Sequence, residues 1–207
     1  GLSAINMNLI HDMLELIKSG AYLFLSRIVG FIFNYTDKIL ISLFLGATAI
    51  GIYEIIRRIS GPAQILNTVL VSALLPEVTR MIETQKIEQL AGLIKNIISI
   101  VMLLISSASL FIYFISDSFI IFWLGEDLTN GIQNYIYIPL VWIFINVVPS
   151  IFNTFALAIN EVKRTLIFGL IGAAINLILT IYLIQYFNIM GVLWATLIAH
   201  SAIFYEY

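Results

Sequence analysis

Six runs of mostly apolar residues follow one another through the 207-residue chain, each close to the roughly 20 residues a helix needs to cross a bilayer. They cover about 21–45, 49–75, 97–115, 132–159, 166–187 and 190–207, the last cut off by the end of the sequence. Short breaks separate them. Gly46-Ala47-Thr48 follows the first run, and Pro76 ends the second, because proline cannot continue a hydrogen-bonded helix. An amphipathic charged segment from Glu77 to Lys95 leads into the third. Only 11% of the residues are charged, whereas a soluble domain needs about a quarter to cover its surface. The expected fold class is an all-α polytopic membrane protein of six transmembrane helices. Residues 1–20 read as an amphipathic lead-in lying on the cytoplasmic surface. The chain begins at Gly1 and stops at Tyr207 inside an apolar run, as a segment of a longer polypeptide would.

Several function classes fall away on composition. With no cysteine and two histidines, His11 and His200, disulfide staples, iron–sulfur clusters and structural zinc have no ligands. The ten Lys and Arg residues are scattered, so no basic run grips nucleic acid. No Gly-rich phosphate loop, H-E-x-x-H or G-x-S-x-G is present. No cofactor, no metal and no catalytic residues are expected, and membrane lipids are the first partners.

Lys and Arg in short loops mark the cytoplasmic side. Lys18 precedes span one, Arg80, Lys86 and Lys95 lie between spans two and three, and Lys163 with Arg164 lies between spans four and five. The alternate loops carry none. The N-terminus of the segment is therefore expected in the cytoplasm.

The four remaining basic residues, Arg27, Lys38, Arg57 and Arg58, sit inside the apolar runs, accompanied by Asp37 and Glu54. Charges at that depth cost about 2.5–3.5 kcal/mol on insertion scales and face a cavity or a partner. Arg27, Gly30, Asn34 and Asp37 or Lys38 recur at three- and four-residue steps, which aligns them on one helical stripe. Glu54, Arg57 or Arg58, Gly61, Gln64 and Thr68 do the same on the second span. One reading is a hydrated, partly cationic cavity for a phosphate or pyrophosphate head group, with Arg27, Asn34, Arg57, Arg58 and Gln64 as substrate contacts. The other is internal compensation: Arg27 snorkels, Asp37 pairs with Arg57 or Arg58, and Glu54 pairs with Arg58 at i, i+4. Asp37, Lys38 and Glu54 are then the ion-pair residues.

Elsewhere, Gly169, Gly172, Ala173 and Asn176 form a small-residue packing face. Asn146, Asn153 and Asn160 repeat every seven residues, to line the same cavity or to join helices. Pro139 and Pro149 are expected to kink span four. His200 reads as a packing or hydrogen-bonding residue, and Trp123, Tyr135, Tyr137 and Trp142 as an aromatic belt.

The segment NYTDKILISLFLGATAIGIYEIIRRI (34–59), then VLVSALLPEVTRMIE (69–83) and NEVKRTLIFGLIGAAINLILTIYLIQYFNIMGVLWAT (160–196), resembles the polysaccharide transporter family of the multidrug/oligosaccharidyl-lipid/polysaccharide superfamily. The resemblance implies one half of a two-lobed transporter of six plus six or more helices, here the second half. Its partner would be the missing other half. It implies a flippase in a bacterial or archaeal cytoplasmic membrane that moves a polyprenyl-diphosphate-linked oligosaccharide by alternating access for O-antigen or other polysaccharide biosynthesis. Arg27, Arg57 and Arg58 then become diphosphate contacts, and Asp37 and Glu54 parts of an ion- or proton-coupled switch. A cation-coupled multidrug exporter is the competing transporter reading, and fits less well because four basic residues face two acidic ones within the membrane. An enzyme acting on polyprenyl-phosphate sugars would need acid/base groups that the short acidic loop with Asp117, Glu126 and Asp127 does not supply. A structural scaffold would not need charges at depth.

Overall fold

The computed structural model describes residues 2–84, 87–159 and 161–204. Six helices follow in order: α1 (Leu2–Leu45), α2 (Ala47–Ser72), α3 (Leu75–Glu83), α4 (Ile87–Leu124), α5 (Glu126–Ala158) and α6 (Val162–Phe204). Five stretches among the described residues are long and apolar enough to cross a bilayer: Leu16–Leu45, Ala47–Glu83, Gln89–Leu124, Asn134–Ala156 and Val162–Ala202. The lead-in and the first apolar run form one unbroken helix.

α6 is not straight. Asn188 takes φ 53° and ψ −134°, outside the helical region but within reach of asparagine, which tolerates positive φ better than most residues. The Asn176 side-chain amide donates to Thr196 Oγ1 at 3.2 Å. Twenty residues of straight helix would hold these groups about 30 Å apart, so the chain reverses between them and the two arms of α6 lie side by side.

Two other reversals also turn on single residues of positive φ, Gly46 at 85° and Gly125 at 86°. The residues around these three turns pack together in one apolar cluster that includes Ile41, Tyr53, Ile56, Ile120, Ile132, Ile184 and Ile189, with Leu45, Ala49 and Leu124 against it. The three turns therefore share one end of the bundle. A second cluster, with Ala63, Val71, Ile97, Val101, Ile105, Val147 and Ile151, fills the space between α2, α4 and α5 toward the other end. There α2 stops at Ser72, two residues turn the chain, and α3 starts with Pro76 in its first turn, where a missing N–H costs nothing. The outer surface is apolar: Leu43, Phe114 and Phe122 are 74, 75 and 89% exposed.

Lipid is as apolar as leucine, so helix association in a membrane leans on close packing and on polar contacts between helices. Both occur. Gly169 on α6 lies opposite Val29 of α1 with room for one added carbon between them, and Asn67 of α2 and Ser150 of α5 exchange hydrogen bonds at 3.3 and 3.4 Å. Pro62, Pro139 and Pro149 lie inside helices, and each removes one helical donor four residues on from a carbonyl.

Gly46, at φ 85° and ψ 178°, occupies a backbone region open essentially only to glycine, where any side chain is strained by about 1–3 kcal/mol. Gly46→Ala in the full-length protein is expected to lose that much stability in denaturant titration followed by circular dichroism. Gly51→Ala, within α2 and with open space around it, is expected to be neutral or to gain up to about 1 kcal/mol. Equal behaviour of the two variants would contradict the turn geometry.

Candidate intramembrane site

Asp37 sits about four-fifths of the way along α1 and is 1% exposed. A carboxylate in so apolar a setting needs hydrogen-bond donors, and two neighbouring helices supply them. The Tyr53 hydroxyl of α2 donates to Asp37 Oδ2 at 3.0 Å. Thr196 Oγ1 of α6 lies 3.1 Å from the same oxygen and equally near the Val192 carbonyl, so its single hydrogen has two acceptors in reach. Asn176, from the other arm of α6, donates to Thr196. Arg57, one turn along α2 from Tyr53, donates from Nη1 to the tyrosine oxygen at 3.4 Å and lies over its ring at 5.8 Å. Tyr53 thus stands between the acid and the arginine, in place of the direct Asp37–Arg57 pair that charge spacing suggested. Asp37 Oδ1 is buried and makes no hydrogen bond within 3.5 Å among the described residues, with the Thr180 hydroxyl of α6 as a further hydrogen-bonding neighbour of the carboxylate.

Lys38 forms an ion pair with Glu54 of α2, Nζ to Oε1 at 2.6 Å. The expected i, i+4 pair of Glu54 with Arg58 is replaced by this contact between helices. Arg27 and Arg58 are both exposed on the bundle surface, and neither has a hydrogen bond or ion pair among the described residues.

Three concavities collect these groups. The first, of about 320 Å³, is walled by Asp37, Tyr53, Arg57, Gln64, Trp142 and Thr196, among others. The second, of about 500 Å³, lies between α1, α5 and α6 and takes in Arg27, Gly30, Asn153, Thr165 and Gly169. Phe33, Asn146, Ser150 and His200 line both, so the two adjoin. The third is an open groove on α2 over Arg57, Arg58, Gly61, Pro62 and Gln64. The three arginines therefore do not share one chamber: Arg57 faces the first, Arg27 the second, and Arg58 only the groove. The Asn34 side chain and Asn160 lie outside the described residues.

Other residues stand differently from their sequence reading. Asn146 and Asn153 line pockets, as one of the two readings of the asparagine heptad had it. His200 bonds from Nδ1 to the Thr196 carbonyl of its own helix at 2.9 Å and is wedged edge-on between Phe33, 4.9 Å away, and Trp142, 5.1 Å away. Trp142 is a pocket wall, not a belt residue, and its Nε1 is buried. Tyr53, Thr196 and Asn176 had no signal as site residues, since a tyrosine, a threonine and one amide in apolar runs look like packing.

Tyr53→Phe removes one donor from Asp37 and one acceptor from Arg57 without changing shape. It is expected to destabilise the full-length protein by about 1–3 kcal/mol, the usual cost of unmade buried hydrogen bonds, read by denaturant titration. A variant as stable as the parent would show that the tyrosine hydroxyl does not hold the cluster.

The family described as polysaccharide biosynthesis protein matches residues 4–82. Over 206 residues the chain is 26% identical to the "probable low-salt glycan biosynthesis flippase Agl15" of Haloferax volcanii, covering 97% of this chain and 43% of that protein. Among solved structures, a transporter of the MOP superfamily from Pyrococcus furiosus and an outward-facing multidrug resistance MATE family transporter of the same superfamily each align with a TM-score of 0.78 at 16% identity, over 93% of this chain and 43% of theirs. At that identity the likeness is one of fold. The chain spans less than half the length of these relatives, which are transporters and not enzymes. The span pattern, the fold and a glycan flippase aligned over 97% of the chain all make it similar to the polysaccharide transporter family.

Proposed function

We propose that this chain is one six-span half, the second, of a flippase that moves a polyprenyl-diphosphate-linked oligosaccharide across a bacterial or archaeal cytoplasmic membrane. Transport runs by alternating access against the other half and serves O-antigen or other polysaccharide biosynthesis. Six crossings are counted by taking the two arms of α6, folded back at Asn188, as separate spans. The N-terminus lies in the cytoplasm, on the side of the Lys- and Arg-bearing loops.

The observation that carries the reading is the charge balance. Lys38 and Glu54 compensate each other, and Arg57 and Asp37 are joined through Tyr53. Arg27 and Arg58 remain without an anion among the described residues. A surplus of guanidinium groups on apolar helices suits an anionic ligand, and arginine's planar fork suits a diphosphate. Arg27, Asn34, Arg57, Arg58 and Gln64 are the contacts of this reading, and Asp37 is its coupling residue, with one buried oxygen left to take up a proton or cation. A cation-coupled multidrug exporter is the second reading, favoured by the fold shared with a MATE transporter and by the same Asp37.

In the full-length protein, Arg57→Ala with Arg58→Ala is expected to lower translocation of a lipid-linked oligosaccharide in proteoliposomes by about tenfold or more, the loss of one or two charge-assisted contacts. Undiminished transport would remove the arginines from the substrate path, and efflux of a cationic dye in its place would favour the exporter.

Orientation has its own check, because the segment has no cysteine of its own. In a full-length background freed of other cysteines, Glu126→Cys is expected to react with a membrane-impermeant maleimide on intact cells. Lys163→Cys is expected to react only after permeabilisation. The reverse pattern would invert the topology.

A further inference from the structure

The second pocket lies where two helices run side by side. Val29 of α1 stands opposite Gly169 of α6, and about two turns further along α1, Asp37 is joined through Thr196 to Asn176 of the same arm. Both contacts keep nearly the same sequence offset, so the helices run in one direction and Arg27 is level with Ile167. Arg164 and Lys163 stand about one turn further out. Both are exposed, and Arg164 lies over the Phe168 ring at 5.5 Å. Measured along α1 from the turn at Gly46, Arg27 is about 28 Å away, close to the roughly 30 Å of a bilayer's hydrocarbon core. Three cations therefore gather at the head-group level of the leaflet opposite that turn, with exposed Glu161 as the acid beside them.

Inward from Arg27, the pocket of about 500 Å³ offers little to a polar ligand. Ser26 Oγ donates to the Tyr22 carbonyl at 2.8 Å and Ser150 Oγ to the Val147 carbonyl at 2.7 Å, and His200 is bound to the Thr196 carbonyl. Asn153 Oδ1 and Thr165 Oγ1 are buried within the bundle. Leu23, Phe33, Ile145, Pro149 and Leu166 make the apolar wall. Gly30, Gly169 and Gly172 bring no side chain to it, and a carbon added at Gly30 would meet nothing within 4 Å, so the space runs as a slot over these glycines. On α1 the slot reaches the outer surface, where Leu23 and Arg27 are exposed beside the exposed rings of Phe24 and Phe31. A sugar would give up hydroxyl partners here, and a free phosphate would leave the slot unfilled. An alkyl chain loses nothing, and arginine's planar fork suits a phosphate head. Basic pockets between membrane helices at head-group level take anionic lipids.

We propose that the second pocket holds an anionic phospholipid of the bilayer, its phosphate on Arg27 with Lys163 and Arg164 beside it and one acyl chain in the slot over Gly30 and Gly169. In the flippase reading Arg27 also meets the substrate's diphosphate, so the two lipids exchange at one guanidinium. The assignment rests on that reading for this exchange alone.

The test is native mass spectrometry of the full-length transporter in detergent, titrated with phosphatidylglycerol or with phosphatidylcholine of the same acyl chains. The other half can bind lipids of its own, so each variant is read against the parent. Phosphatidylglycerol is expected to bind more tightly than phosphatidylcholine. Arg27→Gln is expected to weaken one bound phosphatidylglycerol about tenfold, as the loss of a charge-assisted contact would. Gly30→Leu is expected to remove the same lipid by filling the slot with every charge in place. Millimolar inorganic phosphate is expected to displace none of it. Arg27→Gln changes an exposed side chain, so it decides the matter should Gly30→Leu fail to fold. Equal binding of the two phospholipids would remove the selection by charge, unchanged binding in either folded variant would place the lipid elsewhere, and displacement by inorganic phosphate would make this a site for the free anion; each overturns the proposal. Arg27-dependent lipid binding without translocation of lipid-linked glycan would fell the flippase reading alone, and translocation without such binding would fell the phospholipid site alone.

Discussion

A carboxylate held at 1% exposure inside an apolar bundle sets terms for everything around it. Asp37 is reached by a hydroxyl from α2 and a hydroxyl from α6, and the second is itself held by an amide from the opposite arm of α6. In water such contacts would be minor beside hydrophobic burial. Between helices in lipid, where burial gains little, they fix which faces meet and in which register. The reversal at Asn188 and the approach of α1 to α6 across Gly169 both serve to bring Asn176, Thr196 and Asp37 to one point.

The same cluster sorts the charges. Tyr53 occupies the oxygen of Asp37 that a guanidinium would otherwise take, and so keeps Arg57 at one remove, open to the first pocket. Lys38 is taken up by Glu54 of α2. What the bundle neutralises and what it leaves charged are therefore decided by one aromatic hydroxyl and one interhelical pair.

Periodicity carried a good deal of this. The three- and four-residue spacing of Arg27, Gly30 and Asp37, and of Arg57, Gln64 and Thr68, marks the residues that line concavities. The charge-free breaks at 46–48 and 188–189 coincide with Gly46 and Asn188, the residues of positive φ. Choice of partner was not legible. Glu54 has Arg58 one turn away, and only the packing of α1 on α2 puts Lys38 closer. Asp37 and Thr196 are 159 residues apart, and nothing local to an apolar run containing a single threonine announces such a contact. Nor could spacing tell one cavity from two, since that depends on Phe33, Asn146 and His200 arriving from three helices at the divide.

The single-residue reversals at Gly46, Gly125 and Asn188 have a mechanical side. Consecutive Cα atoms are held about 3.8 Å apart, so helices joined by one residue have no slack at the joint. At the opposite end α2 and α4 are separated by the whole of α3 and the residues flanking it. The bundle is built like a set of tongs riveted at one end: any spreading of its helices has to be greatest at the end where the chain has length to give.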